Sequence, residues 1–189
     1  MDLTKFQHQL TSAASNGRAL PPVEDWNPDF CGDINLEIKL DGRWFYENSP
    51  IGRASLVKLF ASVLKKEGDS YFLVTPVEKV GIRVEDVPFL VTKWEQQEGQ
   101  LILTTQTDDS ITLTNQAQLA LRTPPAALQD TDATPIPYVK VRRNLWARLH
   151  QNVYYQLIDT ARVHESEEST LLMIESSGTD FIIGTLPNT

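Results

Sequence analysis

Hydrophobic and polar residues alternate through the stretch TPVEKVGIRVEDVPF, Thr75 to Phe89. This period of two residues is typical of a β-strand, in which successive side chains point to opposite faces. The pattern therefore predicts an inner strand with one face in the core and a second face that carries two cations around a glycine. The apolar positions are Val80, Ile82 and Val84, and the polar face carries Lys79, Gly81 and Arg83.

The same patterns assign elements to the rest of the chain. Apolar residues at helical spacing predict a short N-terminal helix that ends at Asn16-Gly17, and further helices over 53–65 and 145–161. Ser49-Pro50 is expected to start the second of them, with Pro50 at its first position. A hairpin over 34–47 turns at Asp41-Gly42. A proline-rich stretch over 123–137 predicts a linker or a long surface loop. The remaining predicted strands cover 71–76, 78–84, 88–96, 100–107, 110–115, 138–143, 170–176 and 179–186.

The order of these elements recurs along the chain. Strand, turn, helix, strand and strand appear over 34–84 and again over 138–184, with negligible sequence identity between the two stretches. The recurrence predicts an α+β fold of two similar halves, which we place at 1–86 and 87–189. Two unrelated hairpins, each behind a helix, remain an alternative explanation of the same order.

Composition and charge exclude several classes of protein. The chain has 189 residues and a formal net charge of −8, from 17 basic and 25 acidic residues. This balance argues against binding of duplex nucleic acid but leaves room for a small anion in a local basic pocket. With Cys31 as its only cysteine, no secretory signal and no apolar run near the ~20 residues of a membrane helix, we expect a cytoplasmic protein without a membrane span.

The familiar motifs of enzymes are absent from the sequence. It contains no glycine-rich phosphate loop, no HExxH and no GxSxG. The three histidines, His8, His150 and His164, form no metal-binding spacing with Cys31. We therefore expect no metal and no cofactor, and we favour a protein that binds a ligand without catalysing a reaction.

Cations and small residues on strand faces are the candidates for a ligand site. A glycine between Lys79 and Arg83 would let a phosphate or carboxylate approach the backbone, although a solvated face with both cations neutralised by neighbours such as Glu85 is the simpler alternative. The strand over 138–143 places an aromatic ring beside two cations, which could stack on a base while holding its phosphate. The candidate ligand-binding residues are Arg53, Thr75, Lys79, Gly81, Arg83, Tyr138, Lys140, Arg142 and Arg148.

Two of these candidates, Arg53 and Arg148, fall at or near the starts of predicted helices. Cations are poor partners for that end of the helix dipole, so each needs another partner. A carboxylate such as Asp86 or Glu78 would make a structural ion pair, and a ligand anion is the alternative.

Three stretches of the sequence resemble one bacterial family. DGRWFYENSPIGRASLVKLFASVL, YFLVTPVEKVGIRVEDVPF and PYVKVRRNLWARLHQNVYYQL, preceded by LPPVEDWNP, are similar to the DUF1285 family from about Leu20 to Gly184. The resemblance implies a duplicated α+β core whose C-terminal half is like a pleckstrin-homology domain, and a nucleotide-like ligand between the halves with a signalling role. It implies no reaction. This chain has Gln151 where the family favours a basic residue, which weakens the transfer of an anion site.

The leading hypothesis is a non-enzymatic small-ligand-binding regulatory or signalling module, with an anionic and nucleotide-like ligand in the groove between the halves. An enzyme on a nucleotide or phosphorylated metabolite, with Asp86 or Glu78 as its base, is one alternative. A protein-interaction adaptor with a protein partner is another. A flat apolar patch would favour the adaptor, and an enclosed basic pocket would favour the other two.

Overall fold

The computed structural model describes residues 3–13 and 20–187, so the predicted helix stop at Asn16-Gly17 lies outside the described residues. The chain forms two compact units. Unit 1 is Met1–Glu85 and unit 2 is Asp86–Thr189. None of the helices in the described residues is long and apolar enough to cross a membrane.

The described part of unit 1 forms a six-stranded sheet and two α-helices. The sheet order is β3-β2-β1-β6-β5-β4, and the strands pair antiparallel except for the parallel pair of β1 and β6. The elements are α1 Leu3–Ala13, β1 Phe30–Ile38, β2 Trp44–Tyr46, β3 Ser49–Pro50, α2 Ala54–Ser62, β4 Leu64–Glu67, β5 Ser70–Val74 and β6 Lys79–Val84.

The alternating stretch that predicts an inner strand is β6, which lies between β1 and β5. Its apolar face is less buried than the alternation predicts. Val80 is 1% exposed, but Ile82 and Val84 are only half-buried. The burial therefore lies at the start of the strand and decreases towards its end.

Helix α2 is shorter than the predicted span 53–65, and the predicted start at Ser49-Pro50 is wrong, because these residues form strand β3. The helix ends at Ser62, and Leu64 begins β4. Phe60 lies fully buried, with its ring centroid 6.1 Å from that of Phe6 in α1 and 6.4 Å from that of Trp44 in β2. This aromatic cluster joins both helices of unit 1 to the sheet.

Within residues 86–187, unit 2 contains a six-stranded sheet, a three-stranded sheet and one α-helix. The sheet orders are β10-β11-β12-β7-β8-β9 and β13-β14-β15, with β7 and β12 as the parallel pair. The elements are β7 Phe89–Gln97, β8 Gln100–Thr105, β9 Ser110–Thr112, β10 Leu119–Arg122, β11 Ile136–Arg142, β12 Leu145–Leu149, α3 Gln151–Thr160, β13 Arg162–Glu165, β14 Ser169–Ser176 and β15 Thr179–Pro187.

The larger sheet of unit 2 curls into a half-barrel, consistent with a pleckstrin-homology-like fold. Register shifts interrupt the pairing of β7 with β8 and of β11 with β12, and such bulges bend a sheet. The buried Ser176 in β14 links the two sheets, since its hydroxyl donates to Leu113 O at 2.6 Å and accepts from Leu101 N at 2.8 Å.

The predicted helix over 145–161 is wrong in its first turn. Leu145–Leu149 is a strand, paired with β11 across a turn in which Arg143 has φ 50°. Apolar residues four apart fit both a helix and every second position of a strand, so Leu145 and Leu149 alone do not separate the two. The helix begins at Gln151, where His150 Nδ1 caps it by accepting from Asn152 N at 3.1 Å.

The two halves share one order of elements, as the sequence predicts. Each contains an antiparallel hairpin, then a helix, then a three-stranded antiparallel meander. In unit 1 the meander joins the sheet of the hairpin, whereas in unit 2 it forms a separate sheet. The proline-rich stretch is a long loop inside unit 2, with one turn of 3-10 helix at Ala126–Leu128.

Candidate functional site

The polar face of β6 lines a cleft of about 820 Å³ in unit 1. Residues from β1, β5 and the turn before β5 complete it, and we call it the unit 1 cleft. It brings together three of the predicted site residues, Lys79, Gly81 and Arg83. Its other lining residues are Phe30, Asp33, Glu37, Asp69, Ser70, Tyr71, Phe72, Ile82, Val84 and Glu85.

Both predicted cations of this cleft have internal partners. Lys79 Nζ lies 2.6 Å from Glu67 Oε2 and 4.3 Å from the ring centroid of Phe72. Arg83 Nη2 lies 2.6 Å from Asn35 Oδ1 and 3.2 Å from Glu37 Oε2. The cations are therefore neutralised within unit 1.

The carboxylates that neutralise Lys79 and Arg83 do not include Glu85, the neighbour expected from the sequence. Glu85 pairs instead with Lys39 at 3.4 Å and accepts from Leu40 N at 2.7 Å. Glu37 of β1 and Glu67 of β4 supply the negative charge beside β6 instead of Glu85.

The Lys79–Glu67 pair predicts a pH dependence of stability. The hydrogen bond from Lys79 lowers the pKa of Glu67 from its usual 4.5. A carboxyl with a depressed pKa in the folded state stabilises the fold above its unfolded pKa, and this contribution disappears as the pH falls through the folded value. Because Glu67 is 41% exposed, we expect Glu67→Gln to cost under about 1 kcal/mol at neutral pH.

Urea unfolding of both proteins at neutral pH and near pH ~3 would measure this difference. The two free energies of unfolding should converge at the acid end. A difference that stays constant or grows on acidification would contradict the assignment.

Because Gly81 has no side chain, a carboxylate can lie directly against its backbone in this cleft. Gly81 is the register partner of Asp33 across the parallel pair of β1 and β6, and a Cβ atom at Gly81 would overlap with Asp33 Oδ1. The same Cβ would lie 3.6 Å from Phe30 Cε2. The predicted notch exists, but a carboxylate and a phenyl ring of the protein itself face it.

Arg53 and Thr75 do not line the unit 1 cleft. Thr75 is fully buried, and its hydroxyl accepts from Val77 N at 3.2 Å and from Glu78 N at 2.9 Å. This is turn chemistry, as expected for a threonine before a proline turn. The side chain of Arg53, at the N-terminus of α2, is exposed.

In unit 2, Tyr138 and Arg148 share one carboxylate. Asp86 Oδ2 lies 2.7 Å from Arg148 Nη1 and accepts from the Tyr138 hydroxyl at 2.9 Å. Burial, followed by the charge of Asp86 and its hydrogen bond, raises the pKa of Tyr138 far above its usual value. The ion pair between Arg148 and Asp86 is confirmed, although Arg148 lies in β12 rather than at a helix start.

Lys140 and Arg142 are directed to different partners. Arg142 Nη1 lies 2.7 Å from Asp109 Oδ1, and its guanidinium lies over the ring of Phe89 at 5.0 Å. The register shift between Lys140 and Arg142 separates the two cations. Lys140 Nζ lies instead over the ring of Trp146, 5.4 Å from its centroid.

Trp146 brings together two cations, one of which the sequence patterns missed. The guanidinium of Arg122 lies 4.3 Å from the Trp146 ring centroid and 5.5 Å from that of Tyr138. Among the described residues, neither Arg122 nor Lys140 has a carboxylate partner. We call Arg122, Lys140 and Trp146 the basic-aromatic face. No pattern marked the short strand that ends at Arg122, and Trp146 falls in a stretch that reads as a helix.

Within residues 3–13 and 20–187, no group of three or more histidine, cysteine, aspartate or glutamate side chains could hold a metal ion.

Comparisons with known proteins agree on one family. Residues 21–87 match the model "Domain of unknown function (DUF1285), N-terminal domain", and residues 88–183 match "Protein of unknown function (DUF1285), C-terminal domain". A DUF1285 family protein from Silicibacter pomeroyi DSS-3 has a similar crystal structure, with 38% identity, a TM-score of 0.76 and coverage of 94% of each chain. One from Shewanella baltica OS155 has 32% identity and a TM-score of 0.53, over 66% of this chain and 90% of that chain. No curated protein matches the chain.

Proposed function

The chain belongs to the DUF1285 family, and from that premise we propose that it is a non-enzymatic regulatory or signalling module that binds a small, anionic, nucleotide-like ligand. The basic-aromatic face of unit 2 would hold this ligand. One observation carries the proposal: Arg122 and Lys140 lie over one indole ring with no carboxylate partner among the described residues.

The chemistry of this face suits a phosphate joined to a planar ring. A guanidinium stacked on an indole keeps its N–H groups free at the edge, where they can donate to phosphate oxygens in pairs. Lys140 adds a second positive charge on the same ring. A base that stacks on an aromatic side chain gains about 1–3 kcal/mol.

Arg122 and Lys140 differ from four of the other candidate cations on this acidic chain. The formal net charge is −8, and Arg142, Arg148, Lys79 and Arg83 each pair with an acid. A local pair of uncompensated cations can attract an anion even on an acidic protein. The predicted anionic ligand is thus better supported on unit 2 than in the unit 1 cleft.

The alternative of an enzyme has less support from the geometry. A general base must reach its substrate with a free lone pair at a suitable pKa. Asp86 accepts from both Arg148 and Tyr138, and Glu78 lies outside the unit 1 cleft. Among the described residues, neither carboxylate contacts Arg122 or Lys140 directly.

Isothermal titration calorimetry with ADP and with pyrophosphate tests the proposal. We expect the double variant Arg122→Gln/Lys140→Gln to bind both probes at least about tenfold more weakly, since two charge-assisted contacts are lost. Trp146→Leu should weaken the binding of ADP but leave the binding of pyrophosphate almost unchanged, because only ADP has a base that can stack on the indole.

Arg43 provides the matched control for this experiment. Its guanidinium also lies over a ring, that of Phe45 at 5.2 Å, but Arg43 Nε is paired with Asp41 at 2.6 Å. Arg43→Gln should therefore bind both probes like the wild type. Absence of binding in the wild type, or equal binding by the double variant, would refute the proposal, and turnover of ADP would favour the enzyme alternative.

A further inference from the structure

The unit 1 cleft contains a carboxylate without a partner. Asp33 forms no hydrogen bond or ion pair through its side chain with any described residue, in contrast to Lys79 and Arg83 beside it. Its carboxylate lies against the backbone of Gly81, where any larger residue would displace it. Gly81 therefore lets this acid lie close to the backbone of β6 in the cleft, where its side chain stays exposed.

The charge around Asp33 is negative even after the ion pairs are counted. The carboxylates that line the cleft are Asp33, Glu37, Asp69 and Glu85, and the cations that line it are Lys79 and Arg83. Both cations pair with acids, Lys79 with Glu67 and Arg83 with Glu37, while Glu37 and Glu85 also pair with Lys39. Asp33 and Asp69 are left without an ion pair among the described residues, and their charge favours a positive ligand over an anion.

An exposed aromatic ring lies beside the unpaired acid. Phe30 is 55% exposed, and it faces the same Gly81 position as Asp33. Its ring meets that of Phe72 edge to face, with 5.9 Å between centroids. Phe72 already carries an ammonium group on its ring, that of Lys79 at 4.3 Å, whereas no described cation lies over Phe30.

We infer that the unit 1 cleft binds a small organic cation, a ligand with a primary ammonium or guanidinium group. The cation would donate hydrogen bonds to Asp33 and lie over the ring of Phe30, since a carboxylate and an aromatic face together stabilise an ammonium ion. The cleft volume of about 820 Å³ suits a small molecule. A metal ion would need more oxygen ligands than Asp33 supplies, and the described residues form no metal-binding group.

This inference is independent of the proposed function. It concerns unit 1, a ligand of the opposite charge and none of the residues of the basic-aromatic face. Failure of ADP binding would leave it intact, and its own failure would leave the anion site of unit 2 intact.

Titration of the full-length protein with putrescine and agmatine, at low salt, tests the inference by calorimetry and by NMR shifts of the β1 and β6 amides. The neutral analogue 1,4-butanediol provides the control ligand. We expect Asp33→Asn, which keeps the shape of the side chain and removes its charge, to weaken the binding of both amines at least tenfold. Gly81→Ala should also weaken their binding, because the added Cβ displaces the Asp33 carboxylate from its position against the backbone.

Asp25→Asn is the matched control variant. Asp25 is exposed in unit 1 and does not line the cleft, so the substitution removes the same charge without touching Gly81 or Phe30. It should change the affinity for both amines less than twofold. The inference is wrong if the wild type binds neither amine, if butanediol binds as well as putrescine, or if Asp33→Asn binds the amines like the wild type.

Discussion

Replacement of Arg148 by methionine is expected to lower the free energy of unfolding by about 3–5 kcal/mol. The Arg148 and Asp86 side chains are only 8% and 14% exposed, and their charged atoms lie 2.7 Å apart. Methionine keeps much of the volume but leaves the Asp86 carboxylate largely buried, with a hydrogen bond from the Tyr138 hydroxyl at 2.9 Å. The cost arises mainly from this uncompensated negative charge, which urea unfolding followed by tryptophan fluorescence would measure.

A second ion pair in the same protein serves as the control for that experiment. Arg83 pairs with Glu37 at 3.2 Å, but its side chain is 55% exposed, so Arg83→Met should cost at most about 1 kcal/mol. The double variant Arg148→Met/Asp86→Leu removes both buried charges and should recover much of the loss. Equal costs for Arg148→Met and Arg83→Met would contradict the assignment of a buried pair.

The partner of Arg148 was predictable, but its place in the fold was not. A cation with no favourable helix end nearby needs a carboxylate, and Asp86 is that carboxylate. The premise of a helix start was wrong, because Leu145 and Leu149 fit the period of a strand as well as that of a helix. The prediction of an ion pair for Arg148 was nevertheless correct, because a buried charge needs a partner whichever element carries it.

Strands with clear alternation were predictable, and strands without it were not. The stretch of β6 alternates strictly and forms an inner strand. All four residues of β13, Arg162–Glu165, are exposed, so no hydrophobic pattern marks that strand. Likewise Leu64 continues the apolar stripe of α2 in sequence but starts β4, since local spacing does not mark where a helix ends.

The candidate sites depended on contacts between distant parts of the chain. The polar face of β6 was predictable, but the carboxylates that neutralise it come from β1 and β4, through a strand order that the sequence does not reveal. Asp33 meets Gly81 only because β1 and β6 pair in parallel in one register. Arg122 meets Trp146 across the width of β11, and no spacing along the sequence marks that contact.

Replacement of Phe60 by alanine is expected to cost about 3–5 kcal/mol, because a fully buried phenyl ring leaves a cavity that the neighbouring rings cannot fill without strain. Phe60 is 0% exposed and contacts Phe6 and Trp44, so the loss should loosen α1 and α2 together. Leu59, its half-buried neighbour on the same helix, is the matched control, and Leu59→Ala should cost clearly less. Urea unfolding would measure both free energies, and hydrogen exchange of the α1 and α2 amides would show whether the two helices lose protection together. A cost for Phe60→Ala no larger than that for Leu59→Ala would show that this aromatic cluster is not the core of unit 1.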